Sequence, residues 1–286
     1  MSIDVQIGTQ ELKKEIAKEL KGFFSDDFMD EVGLDRILVP LDIGSAIRDL
    51  TNDEFEAERL DLNQEVLARI IRHDVKKTLI LSSRFYTEEF DNLTRSVYFQ
   101  HEQVHLYNDR PPQKEFNIKG LLINDSNWLY DEYLAYFLSW KSLFDALKIE
   151  VDSLEQLYSF MLEEHGKDIK NIDHYLSIVT DLRASIKSGE IPFDEGFAQI
   201  KQLINDYLLK IVIVAALLLS KQKTFDDIAQ EYTFPDEVVS LLIEFQAREE
   251  NWPNWIEDHR PLENVYSCFG VIFVSVGTED EGISLV

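Results

Sequence analysis

The 286-residue chain carries 54 acidic against 28 basic side chains, a net charge of −26, with 45% hydrophobic residues and one cysteine. That length supports one large domain or two modest ones, each with a real core. The lone Cys268 excludes an intrachain disulfide framework, and the acidity opposes a phosphate-backbone partner.

In chain order, the first segment, "MSIDVQIGTQELKKE", has no basic region followed by an apolar stretch, so no signal peptide is expected. Residues 10–24 have amphipathic helical spacing, and "ELKKEIAKELKG" mixes Lys with Glu as a solvated face does. "LVPLDIGSAIRDL" fits either helix or strand, and a second helix is predicted from about Asn63 to Asp74. "KTLILSSRFY", Lys77 to Tyr86, reads as a strand. Thr87 can cap the helix that follows, with Glu88 and Glu89 in a first turn that favours negative charge. That helix is predicted to reach about Asn108, where "RPPQ" stops it.

"FNIKGLLIN" reads as a loop with a short strand, after which Ser126 or Asn127 opens a long helix. Further helices are predicted over 152–165, 171–189 and 195–220, and "SGEIPFDEG", Ser188 to Gly196, is the candidate boundary between domains at 1–190 and 191–286. "YLLKIVIVAALLLS", Tyr207 to Ser220, is too short to span a bilayer, carries Lys210 and reads as a buried core helix. With neither a signal peptide nor a span, a cytoplasmic protein without membrane contact is expected. "TFDDIAQEYTFPDEVVSLLIEF" has helix-turn-helix spacing, but its second helix carries acids where a DNA reader carries Arg, Lys, Gln or Asn. No nucleic acid is expected, and the helical C-terminal region is the candidate surface for a protein partner. "NWPNW" reads as an aromatic closure of the helical region. "VYSCFGVIFVSVG" reads as one strand or a strand pair that buries Cys268, ahead of an acidic tail, "TEDEGISLV". The fold class that results is α+β and mostly helical.

The chemistry concentrates in "FQHEQVHLYND", which places His101, Glu102 and His105 in the pattern His-Glu-x-x-His. Two imidazoles four residues apart on a helix can converge on one Zn²⁺ at about 2.0–2.1 Å, and a carboxylate beside the first can act on a water rather than on the ion. The apolar stripe Phe90, Leu93, Val97, His101, Val104, His105 puts both imidazoles on the inward face.

"HEQVH" resembles the active-site helix of the zincin metallopeptidases. The chain has Asn108 and Pro111 where the metzincin extension carries Gly and His, so that branch is excluded. The gluzincin branch takes a third ligand from a Glu on a later helix, and "YDEYLAYFLSW" fits through Glu132, with Ala135 three positions on. A carboxylate on a helix that is apolar nearly all round calls for a cation or several donors; Asp131 is the competing ligand. The resemblance covers about Lys77 to Leu147 and implies a zincin-like core: a small sheet, an active-site helix and a third-ligand helix. It further implies Zn²⁺ held by His101, His105 and Glu132, Glu102 as general base, and hydrolysis of a protein or peptide substrate. A transition-state donor would come from Tyr133, Tyr136 or His174, with His165 and Tyr175 also in reach of the reading. Taken alone, His165, His174, His73 and His259 each read as ordinary surface histidines. The alternative to an endopeptidase is a catalytically silent zincin scaffold acting as a binding or regulatory module; an intact Glu102 favours catalysis.

Overall fold

The computed structural model describes residues 2–51, 67–73, 76–87, 90–108, 118–146, 152–169, 172–221, 224, 232, 234–249, 255–276 and 280–285. Packing divides the chain into two units, Met1–Tyr107 and Asn108–Val286. Together they hold a helical majority and a small mixed sheet, the α+β class expected from the sequence.

The first unit runs β1 (Ser2–Val5), α1 (Gln10–Phe23), α2 (Asp26–Glu31), β2 (Leu34–Val39), α3 (Ile43–Thr51), β3 (Ala68–His73), β4 (Lys76–Leu81), α4 (Arg84–Thr87) and α5 (Asn92–Tyr107). Its sheet has the order β1-β2-β4-β3; β1, β2 and β4 are parallel, and β3 is antiparallel at an edge. Alternation along the strands sends Ile37, Val39, Leu79 and Leu81 into one core with Ile16, Leu20, Phe24, Phe85 and Phe99. Leu38, Ile71 and Ile80 go to the opposite face against Ala46 and Ile47 of α3. Thr9 and Ser25 cap α1 and α2 by accepting from Leu12 N and Phe28 N at 3.3 and 3.2 Å.

Several sequence expectations change here. "LVPLDIGSAIRDL" resolves into the end of β2 and α3. The helix predicted from Asn63 to Asp74 is wrong across Ala68–His73, which form β3. Ile70 and Ile71 satisfy their backbones by pairing with Leu79 and Thr78 of β4, and that pairing overrides local helical spacing. The strand predicted to Tyr86 ends at Leu81, and Arg84–Thr87 form a short helix. Thr87 therefore ends α4 and its hydroxyl donates to Ser83 O at 3.0 Å. Asp91 caps the motif helix instead, accepting from Thr94 N at 2.7 Å. Glu88, Glu89 and "RPPQ" lie outside the described residues.

The second unit contains α6 (Ile118–Ala146), α7 (Asp152–Ile169), α8 (Ile172–Ser188), α9 (Phe193–Ser220), α10 (Asp236–Glu249), α11 (Arg260–Cys268), β5 (Val271–Val276) and β6 (Asp280–Leu285). The helix α9 is its centre and packs on α6, α7 and α8. Among the described residues α9 alone is long and apolar enough to cross a membrane, and 72% of its apolar window is buried inside the fold. Residues Ile211 through Ser220 are all buried, as expected for the stretch read as a core helix.

No strand forms at Ile118–Asn124; α6 begins at Ile118, so Ser126 and Asn127 lie inside it. Both look like caps because they favour helix starts, yet both are buried. Asn127 exchanges two hydrogen bonds with the backbone of Ile256, donating at 3.0 Å and accepting at 2.7 Å. Asp125, about two turns into α6, pairs with Lys201 of α9 at 3.0 Å. "SGEIPFDEG" forms the tight connection from α8 to α9, with Gly189 at φ +79°. The second helix of the helix-turn-helix-like segment is α10; most of the first lies outside the described residues. The last residues are not a free acidic tail: Asp280–Leu285 pair antiparallel with β5, Phe273 facing Ile283. "VYSC" belongs to α11 rather than to the strand. Cys268 is half-buried, and burial first, then the Glu237 carboxylate, pushes its thiol up to about 11.

Candidate metal centre

The motif lies on α5, and five contacts within the first unit fix that helix. At its start, Asp91 caps Thr94 N, and the backbone and hydroxyl of Thr94 hold the Asp91 carboxyl below its ordinary value. One turn on, Arg95 pairs with Glu19 of α1 at 2.8 Å and donates to Phe90 O at 2.6 Å. Gln103 donates through Nε2 to Phe23 O. At the end, Lys77 of β4 donates through Nζ to Leu106 O at 2.8 Å. Between these ties Phe99 is fully buried, edge-on to Phe23 and Phe85 at 5.2 and 5.3 Å.

Removing the cap has a defined cost. Asp91→Ala should destabilise the first unit by about 1 kcal/mol at neutral pH, read as a lower urea midpoint. Because the folded carboxyl is held below the ordinary aspartate value, the stabilisation is complete above that value. It is lost as pH falls through the lower folded value, so the difference between the two proteins should shrink in acid.

The expected inward stripe is correct for the histidines, with a refinement. His101 and His105 are buried, at 8% and 7% exposure. Yet at 100° per residue, His101 lies about 200° round the helix from Phe99. The imidazoles therefore occupy a face of their own, with Val97, while Phe99 and Leu106 serve the aromatic core. The two Nε2 atoms lie 2.9 Å apart, with ring centroids at 4.5 Å and planes at 80°. Nitrogens about 2.0–2.1 Å from a tetrahedral zinc are about 3.3 Å apart, so the observed pair is within a few tenths of an ångström of ligand spacing. Glu102 is half-buried beside them.

In the second unit α6 carries the remaining candidates. Glu132 is half-buried. Asp131 is fully buried and accepts from Asn108 Nδ2 at 2.6 Å, so one of its oxygens is already occupied. Tyr133 is fully buried between Phe137, stacked at 5.9 Å, and Phe245, also at 5.9 Å, as a core aromatic is. Tyr136 is half-buried, one turn past Glu132 on the same stripe. His174 is exposed on α8 with its ring 6.1 Å from that of Tyr175, and His165 is half-buried on α7. Tyr175 accepts from Lys210 Nζ at 3.3 Å. Trp255, from the aromatic run after α10, stands edge-on to Tyr130 at 6.3 Å, and Arg248 holds its carbonyl at 3.2 Å.

Sequence reasoning did not single out Lys77 or Asn108. A lysine at the head of an apolar strand run and an asparagine just past the helix end were the only signals in the chain, and neither names its partner. A scan against protein-family models, a search of curated proteins and a search of solved structures each return no match for this chain.

Proposed function

We propose that the chain is a zinc-dependent peptidase of gluzincin-like design, with a zincin-like core formed by the small sheet, α5 and α6. The observation that carries this reading is the convergence of two buried imidazole Nε2 atoms at 2.9 Å on a helix that also carries Glu102. Two adjacent neutral imidazoles are compatible at that distance only if a proton lies between their nitrogens, and a metal ion can replace that proton. The donor set supports it too: His101 and His105 each offer an imidazole nitrogen and Glu132 a carboxylate oxygen, the ligand types of a zinc site. Two histidines and a carboxylate leave a fourth position of a tetrahedral site open, the arrangement of catalytic rather than structural zinc. Asp131, with Asn108 on one oxygen, is the less suited carboxylate.

When bound, zinc supplies Lewis acidity, polarising a carbonyl and bringing a water's pKa towards neutrality. His101, His105 and Glu132 would hold it. Glu102, next to His101 and outside the ligand set, takes a proton from the attacking water and returns it to the leaving amine. Tyr136, by its position one turn beyond Glu132, is the better placed of the two tyrosines to donate to a developing oxyanion; Tyr133 is committed to the core. The substrate is a protein or peptide. A silent scaffold is the reading that would replace this one.

The deciding measurement is zinc content of protein purified without added metal, beside His101→Ala. About one zinc per chain, lost in the variant, is expected. Zinc-free protein, with a fold that tolerates His101→Ala, would overturn the reading.

A further inference from the structure

A buried lysine is rare unless its charge is engaged, and Lys77 is 6% exposed near the head of β4. Its backbone is fixed, donating to Gly33 O at 2.9 Å. Its ammonium donates to Leu106 O at 2.8 Å. The last carbonyls of a helix lack intrahelical partners, and a cation there also meets the negative end of the helix dipole. Leu106 belongs to the last turn of α5, and so does His105. The preceding turns have their own ties, Gln103 to Phe23 O and Arg95 to Glu19. His101 is thus held from the middle of the helix, whereas His105 sits where a helix frays.

We infer that Lys77 is a positioning residue for the candidate metal centre: by fastening the final turn of α5 to β4 it fixes the His105 imidazole against that of His101, and so sets metal affinity. This rests on the zinc reading above. Groups that orient metal ligands without touching the ion alter affinity by about ten- to a hundred-fold when lost.

The test uses the full chain as wild type, Lys77→Met and Lys77→Arg. Zinc affinity is measured by chelator competition, the ligand field by visible absorption after Co²⁺ loading, and helix fraying by amide hydrogen exchange of the metal-free proteins. Lys77→Met should lose about ten- to a hundred-fold in zinc affinity, change the Co²⁺ spectrum, and exchange faster at His105–Tyr107 but not at Arg95–His101. Lys77→Arg, which keeps a cation and donors, should recover most of the affinity. If Lys77→Met does not fold, Lys77→Gln is read by the same criteria. A variant that is merely less stable, with affinity, spectrum and last-turn exchange unchanged, overturns the inference and leaves the zinc reading intact. A wild type that binds neither Zn²⁺ nor Co²⁺ overturns both.

Discussion

Glu102→Gln is expected to keep about one zinc per chain and to lose peptide hydrolysis by a factor of about 10³ or more. The amide preserves the shape of the side chain and removes its ability to take a proton. General-base catalysis by a positioned carboxylate contributes about 10²–10⁴ in rate, or roughly 3–5 kcal/mol of barrier at 1.36 kcal/mol per tenfold. Because Glu102 lies one residue from His101, it is about 100° round the helix and away from the shared His101–His105 face. On the proposed zinc reading, that offset would keep it off the ion and free to serve the water. The measurement pairs metal content with the rate of cleavage of a quenched fluorescent peptide library. Normal cleavage by the variant would remove Glu102 from the role assigned to it. Bound zinc without cleavage in either protein would make the silent scaffold the better description.

How much of this was legible in the sequence depends on how far apart the interacting residues are. The motif is local: His101 and His105 are one turn apart, and periodicity alone predicts a shared buried face. The long helices from α7 to α9 are also local, because their apolar spacing persists for several turns. What was misread depends on distant partners. The edge strand β3 looks helical until β4 provides its backbone partners. Asn127 looks like a helix start until Ile256, 129 residues away, takes both ends of its amide. The last strand, read as an acidic tail, exists because β5 pairs with it across Phe273 and Ile283. Lys77 is the plainest case, since the carbonyl it serves is 29 residues ahead and has no side-chain signature at all.

The choice between the two neighbouring carboxylates of α6 gives the second large effect. Consecutive helical residues diverge by about 100°, so Asp131 and Glu132 cannot both address one point from the same helix. Asp131 is fully buried and accepts the Asn108 amide at 2.6 Å, whereas Glu132 is half-buried on the stripe shared with Tyr136. Glu132→Ala should therefore lower zinc affinity by orders of magnitude while the apo fold persists. The reason is that a two-histidine remnant lacks the charge and third donor that a catalytic site uses. Asp131→Ala should behave in the opposite way. It leaves the buried Asn108 amide without this acceptor, at a cost of about 1–3 kcal/mol, and lowers the urea midpoint of the metal-free protein. Zinc titration and urea unfolding of both variants separate the roles. If Glu132→Ala binds zinc as tightly as wild type and Asp131→Ala does not, the ligand is Asp131. The Asn108 hydrogen bond would then be the outer support of a ligand carboxylate, and α6 would present the site from a register one residue earlier.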